Sequence, residues 1–361
     1  MLGRVSAGST GQAVLGDAGT SMSSTADAGP VLQVQNLRLV LYTEKEELFP
    51  VDGISFTIDP GETLCLVGES GSGKSLTALT IMRLIELEAS VRYEGSVIFA
   101  QRDVLTLSQR EMNSLRGSEV AMVPQEPMSA LNPVLKIGRQ LEQVGIYHVK
   151  DRKGRRQVRQ EFHERARETL VAVGIRDVDR VLLSYPHQLS GGMQQRVLIA
   201  MAVIAEPKLI IADEPTTALD VTTQAQILVL LAELQKRTGV GLLLITHDLA
   251  VAAQVADRVA VMYAGKIVEQ APVEEFFANP QHPYSVGLLR SVPSIDDGKS
   301  HDRLNAISGS VPSLSALPRG CRFAPRCVLA IDQCQSERPD LSVVDSANAH
   351  LVACWRPGEM S

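Results

Sequence analysis

Eight residues, Gly68-Glu69-Ser70-Gly71-Ser72-Gly73-Lys74-Ser75, combine the side chains and the spacing needed to grip a chain of phosphates. Glycine lets the backbone curl so that successive N–H groups point inward as an anion nest. A helix opening at Lys74-Ser75 adds the positive end of its dipole. Lys74 can reach β- and γ-phosphates, and the Ser75 hydroxyl can ligate Mg²⁺. An apolar run, Thr63–Val67, leads in, and Leu76–Met82 leads out with helix formers. Strand, glycine loop and helix in that order favour a phosphate loop over an unliganded glycine turn.

Other polar groups stand at the ends of apolar runs. Leu209–Ala212 ends in Asp213-Glu214. An Asp at the end of a strand beside the phosphate loop can hold Mg²⁺, and Glu214 is placed to polarise a water for in-line attack. Val120–Val123 ends in Pro124-Gln125, and Gly241–Thr246 ends in His247. The Gln125 amide could touch Mg²⁺ or the attacking water; taken alone, it reads as a solvated loop residue. A lone strand-end histidine is usually structural, but if these strands share a parallel sheet, His247 faces the same crevice. Ser190-Gly191-Gly192 opens an apolar helix, with Ser190 as N-cap. That makes a second candidate anion site in one chain. Tyr42, at the end of a strand upstream of the loop, could stack on adenine; strand packing explains it equally well, and Phe49 is the competing aromatic.

These groups need a scaffold. Val31–Tyr42 alternates apolar and polar residues, and a second run spans Val51–Ile58, predicting a small antiparallel sheet. A short strand follows at Ser96–Phe99. Residues 136–185 read as charged helices; the basic cluster at 150–156 is followed by Glu161, Glu164 and Glu168, so it reads as a solvated helix face. A helix over 221–238 and a strand–turn–strand over 259–269 complete the pattern. Residues 1–30, rich in Gly, Ala, Ser and Thr, are expected to be a disordered leader. Net charge is −6, which gives no electrostatic support to nucleic-acid binding. No apolar run approaches the ~18–20 residues that cross a bilayer. The expectation is a soluble chain whose membrane association comes through partners.

The ordered set 68–75, Gln125, Leu189–Gln194, Asp213-Glu214, Thr217–Asp220 and His247 resembles the ATP-binding subunit of ABC transporters over about residues 31–285. Met193 stands where many members have Gln. That variant, the stretch Gln125–Pro133, His282-Pro283-Tyr284-Ser285 and Gly320–Cys327 all resemble the oligopeptide/dipeptide importer branch. The resemblance implies an α/β fold: a P-loop NTPase (RecA-like) core with an N-terminal antiparallel β-subdomain, a helical subdomain at about 130–196 and a small cysteine-containing extension over 286–361. It implies ATP and Mg²⁺ as ligands, held by Tyr42, Gly68, Ser70, Gly71, Ser72, Gly73, Lys74, Ser75, Leu76, Gln125 and Asp213, with Glu214, His247 and Gln125 in hydrolysis. Two such domains would close head to tail. Ser190, Gly191 and Gly192 of one would then cap the γ-phosphate held by the other, with Asp220 communicating across the dimer. The implied partners are a second, similar ATPase subunit (or an identical one), two membrane permeases touched by the Gln125 loop and the helices of 130–185, and an extracytoplasmic solute-binding protein. The implied place is the cytoplasmic face of the inner membrane.

Four of the five cysteines, Cys321, Cys327, Cys334 and Cys354, crowd the end of the chain. Four thiolates suit a [4Fe–4S] cluster or a structural zinc, though the CxxC pairs usual for zinc ribbons are missing and free thiols are the third reading. The resemblance favours iron–sulfur, and Cys65 reads as a small core residue. The rival reading is a non-transport ABC ATPase of DNA repair or translation. The stretch between Ser75 and Ser190 is too short for the coiled coil of the first, and the single phosphate loop argues against the second.

Overall fold

Thr63–Val67 is apolar on both faces because both faces of its strand are covered. In the computed structural model, which describes residues 29–147, 155–217, 219–291, 307–347 and 349–360, every residue of this strand is buried. Leu64 and Leu66 enter one apolar core, and Cys65 and Val67 enter another on the opposite side. This is the period-two alternation of a strand in a layered α/β protein.

The elements run as follows. Strands β1 (Leu32–Tyr42), β2 (Glu47–Ile58) and β3 (Thr63–Val67) precede helix α1 (Lys74–Ile81). Then come β4 (Val91–Phe99), β5 (Arg102–Asp103), α2 (Gln109–Leu115) and β6 (Val120–Val123). Helices α3 (Pro127–Ala130), α4 (Ile137–Tyr147), α5 (Arg155–Ala172), α6 (Val178–Leu183) and α7 (Gly191–Val203) lead to β7 (Leu209–Asp213). The chain continues through α8 (Val221–Thr238), β8 (Gly241–Thr246), α9 (Leu249–Val255), β9 (Arg258–Tyr263), β10 (Lys266–Pro272), α10 (Val273–Ala278) and α11 (Pro283–Arg290). It ends with α12 (Asp332–Ser336), β11 (Ser342–Asp345) and β12 (His350–Val352).

Two sheets result. The smaller is antiparallel, in the order β2-β1-β4-β5. The larger runs β11-β12-β10-β9-β3-β8-β7-β6 and is parallel from β9 through β6. Three strands of that parallel run, β3, β7 and β8, therefore point their polar ends at one edge, with β6 beside them. Strand β3 is flanked by β8 and β9, so the Asp213 strand lies one place away, with β8 between, and its carboxylate still meets the loop at Ser75. The strand expected at 96–99 is also longer, starting at Val91 and pairing along β1.

The end of the chain is woven into the larger sheet. Glu269 and Gln270 of β10 pair with Val352 and Leu351 of β12. Buried Glu269 accepts backbone hydrogen bonds from Gln281 and His282 and pairs with buried His350 at 2.8 Å. Elsewhere Asp52 of β2 gathers Arg38, Lys266, Arg322 and Arg338. Burial pushes this carboxyl up, but the cations outweigh it and hold it below its usual range. The line drawn at 285/286 falls inside α11. The leader expected over 1–30 and most of the basic cluster at 150–156 lie outside the described residues.

Candidate functional site

The loop between β3 and α1 is shaped by glycine where nothing else fits. Gly68 and Gly73 have φ of 153° and 105°, and a Cβ on either would overlap a carbonyl oxygen, that of Met262 or Pro50. No side chain caps α1, so its first N–H groups are free for a ligand. Lys74 is buried, and its ammonium donates to the Gly68 and Glu69 carbonyls at 2.8 and 3.0 Å. Burial pushes Lys74 down, opposed by the charges of Glu214, Asp213 and Glu69.

The strand-end groups converge on this loop. The Ser75 hydroxyl donates to Asp213 at 2.9 Å. Burial raises the Asp213 carboxyl above its usual range, against the Ser75 hydrogen bond and with help from Glu214. A hard-oxygen pair of this kind, one hydroxyl and one buried carboxylate, suits Mg²⁺, which takes one or two protein oxygens and completes its shell with water and phosphate. Glu214 is gripped by three side chains: Gln125 donates at 3.0 Å, Thr217 donates at 2.9 Å, and His247 Nδ1 lies 3.3 Å away. Its φ of 44° is unusual for a residue with a side chain, and its N–H donates to the Ile245 carbonyl. The carboxylate is thus aimed by its backbone and its neighbours together.

A cavity of about 730 Å³ is bounded by residues 68–76 with Gln125, Glu214 and His247, while Asp213 and Thr217 sit behind its lining, bonded to Ser75 and Glu214. Pro50, Leu288 and Leu314 close its other walls. The signature residues lie elsewhere. Ser190 caps α7 by accepting from the Met193 N–H at 3.4 Å. Gly192 sits so close to Thr223 that a Cβ there would crowd it. Asp220 caps α8 through Thr223, and hydrogen bonds from Thr223 hold its carboxyl low. None of Ser190, Gly191, Gly192 and Asp220 lines the cavity. Tyr42 is an exposed residue at the end of β1 and does not line it either. Phe49 lies under the Arg38 guanidinium, 5.8 Å from its ring centre.

Sequence reasoning left out Thr217 as a site residue, although it stands in a motif already singled out. It also missed Glu69, Tyr284 and Arg326. The Tyr284 hydroxyl accepts from the Glu69 N–H at 2.9 Å, and Arg326 forks the Glu69 carboxylate at 2.8 and 3.1 Å. These partners are 215 and 257 residues from Glu69, beyond any local pattern.

Cys321, Cys327, Cys334 and Cys354 border one small cavity. Burial pushes the thiols of Cys321 and Cys327 up and that of Cys354 to about 11. Among the described residues, no group of three or more His, Cys, Asp or Glu is disposed to hold a metal ion. The four cysteines thus converge on one cavity, but the expected four-thiolate ligand set is not among groups disposed to hold a metal.

Residues 51–217 match the family model for ABC transporter. Residues 268–334 match that for oligopeptide/dipeptide transporter, C-terminal region. The oligopeptide transport ATP-binding protein AppD of Bacillus subtilis is 49% identical over 325 residues, covering 90% of this chain and 96% of that protein. Among solved structures, the dimeric post-hydrolysis state of the ATP-binding cassette MJ0796, bound to ADP and Pi, is 28% identical with a TM-score of 0.57. It covers 67% of this chain and 98% of that one. The cbiO1 protein of Clostridium perfringens, part of an ABC transporter complex, has the same identity and TM-score over 69% of this chain and 91% of its own.

Proposed function

This chain belongs to the ATP-binding subunits of ABC transporters, and we propose that it is the ATP-hydrolysing subunit of an importer for di- or oligopeptides or a chemically related solute. The observation that carries the reading is the division of its motifs. One cavity joins the phosphate loop, Gln125, Glu214 and His247, while Ser190, Gly191, Gly192 and Asp220 lie outside it. The match of 268–334 to an oligopeptide/dipeptide transporter region supports transport over a DNA-repair or translation role.

In this reading the backbone of Gly68–Ser75, including Ser70, Gly71, Ser72 and Gly73, cradles the triphosphate of ATP. Lys74 exchanges its carbonyl partners for phosphate oxygens, and the Leu76 N–H lies on the first turn of α1. Ser75 and Asp213, with Gln125, would hold Mg²⁺, whose charge offsets that of the phosphates when it is bound. Glu214 accepts a proton from the attacking water, oriented by Gln125 and Thr217, and His247 contacts the γ-phosphate. Tyr42 stacks on the adenine. Ser190, Gly191 and Gly192 of a second subunit close over the phosphates, and Asp220 couples the two sites. ATP favours the closed pair and hydrolysis releases it, so the nucleotide shifts a population between two arrangements.

The partner is a similar ATPase subunit, or a second copy. The pair sits on the cytoplasmic face against two permeases, served by an extracytoplasmic solute-binding protein. No helix among the described residues is long and apolar enough to cross a membrane, so attachment runs through the permeases. The division of labour follows the chain, with catalysis in 31–285 and the extension in 286–361. A [4Fe–4S] cluster on the four tail cysteines is proposed on their convergence alone; anaerobic purification giving a colourless protein without iron removes it. The main test is uptake of labelled peptide by the assembled transporter in vesicles. Lys74→Ala should abolish ATP-driven uptake, and undiminished uptake would overturn the assignment.

A further inference from the structure

The extension reaches the phosphate loop through one arginine. The Arg326 side chain is 6% exposed, and it uses every N–H it has. Nε donates to the Ser308 carbonyl at 2.8 Å. Nη1 donates to Glu69 at 2.8 Å and to the Tyr263 hydroxyl at 3.4 Å. Nη2 donates to Glu69 at 3.1 Å and to the Ile307 carbonyl at 3.2 Å. The guanidinium also lies over the Tyr263 ring. Beneath it, Tyr263, Tyr284 and Phe323 pack edge-on or tilted, with ring centres 4.7 to 5.4 Å apart. A planar guanidinium held this way keeps a fixed direction, which a flexible lysine would not.

What it holds is a carboxylate in an awkward place. Glu69 is the second residue of a loop built to bind anions, and its charge is felt by Lys74 in that loop. A bare carboxylate there would repel a triphosphate. The fork of Arg326 takes both Glu69 oxygens, while Tyr284 holds its backbone N–H. The carboxylate's charge and direction are therefore set from the segment between Cys321 and Cys327, and its backbone from α11.

We propose that Arg326 is a positioning residue for ATP: by neutralising and fixing Glu69, it makes nucleotide affinity depend on the C-terminal extension. This rests on the reading of the cavity as an ATP site. The test uses the full-length chain and Mg²⁺ with a fluorescent ATP analogue, measured without turnover. Arg326→Gln should weaken binding about tenfold, and Glu69→Gln should tighten it about threefold. The double variant should return to within about twofold of wild type, since no net charge is left at the loop. Raising salt should shrink the loss in Arg326→Gln, because screening weakens exposed charge repulsion. A purely structural Arg326 predicts a double variant as weak as Arg326→Gln, which would overturn the proposal, as would wild-type affinity in Arg326→Gln. If Arg326→Gln does not fold, Arg326→Lys carries the same comparison: about threefold weaker binding, relieved by Glu69→Gln. A wild-type chain that does not bind the analogue overturns both the ATP-site reading and this one.

Discussion

Two helices begin just after or within glycine-containing turns, and the difference between their first turns explains why one chain is half a machine. At α1 no side chain caps the N-terminus, Lys74 is buried beside it, and Asp213, Glu214 and Gln125 stand within reach. The free N–H groups and the cation form an anion site complete on its anion-binding side. At α7 the Ser190 side chain already satisfies the Met193 N–H, the first turn carries no lysine or arginine, and its neighbours are Leu219 and Thr223. Its helix dipole is worth ~0.3–1 kcal/mol near a surface. That is too little to capture a nucleotide alone, which fits the proposed role of closing over a phosphate held by another subunit.

The comparison can be broken at its strong end first. Glu214→Gln keeps the shape of the carboxylate but removes its basicity. Turnover by the assembled ATPase should fall at least a hundredfold while ATP remains bound; single-turnover measurements with labelled ATP decide it, and rapid release of phosphate would remove Glu214 as the base. The weak end comes next. Ser190→Ala should lower hydrolysis by the assembly about tenfold, at a stability cost of about 1 kcal/mol for the lost cap. ATP affinity of the isolated chain should not change, because Ser190 lies outside its cavity. A matching loss of affinity in the isolated chain would mean that both helix ends serve one subunit.

A third N-terminus supplies an effect on stability alone. Buried His282 caps α11 by accepting from the Tyr284 N–H at 3.0 Å, so its ring is held neutral. Burial lowers its pKa to about 4. A histidine with a depressed folded pKa adds stability above its unfolded value of about 6.5, and that contribution drains as pH falls toward 4. Between pH 7 and pH 5 the loss should be about 2 kcal/mol. His282→Asn replaces the ring nitrogen with a capping oxygen that does not titrate, so its denaturation midpoint should change less over that interval. Equal pH slopes in both proteins would show that His282 is not the group responsible.

Much of the catalytic side was legible because it is local. Glycine spacing, a lysine at the helix start and carboxylates ending an apolar run are visible within a few residues. The parallel strands were legible too, since burial on both faces demands unbroken apolar runs. Order within the sheet was not: nothing in Lys208–Pro215 says that β8 lies between its strand and β3. The four clustered cysteines suggested a metal site; they do border one cavity, but no group disposed to hold a metal is seen among the described residues.

By itself the sequence determined the phosphate loop, the carboxylate pair and the family pattern, because short-range backbone and side-chain chemistry demands those residues at those spacings. The tertiary structure alone decided that Gln125 and His247 meet at Glu214. It alone brought Arg326 and Tyr284 onto Glu69. The physical reason is the same in both cases. Contacts between residues as far apart as Gln125 and Glu214, 89 positions, or Glu69 and Arg326, 257, are set by how layers stack and which strands neighbour, and a linear pattern carries no record of that.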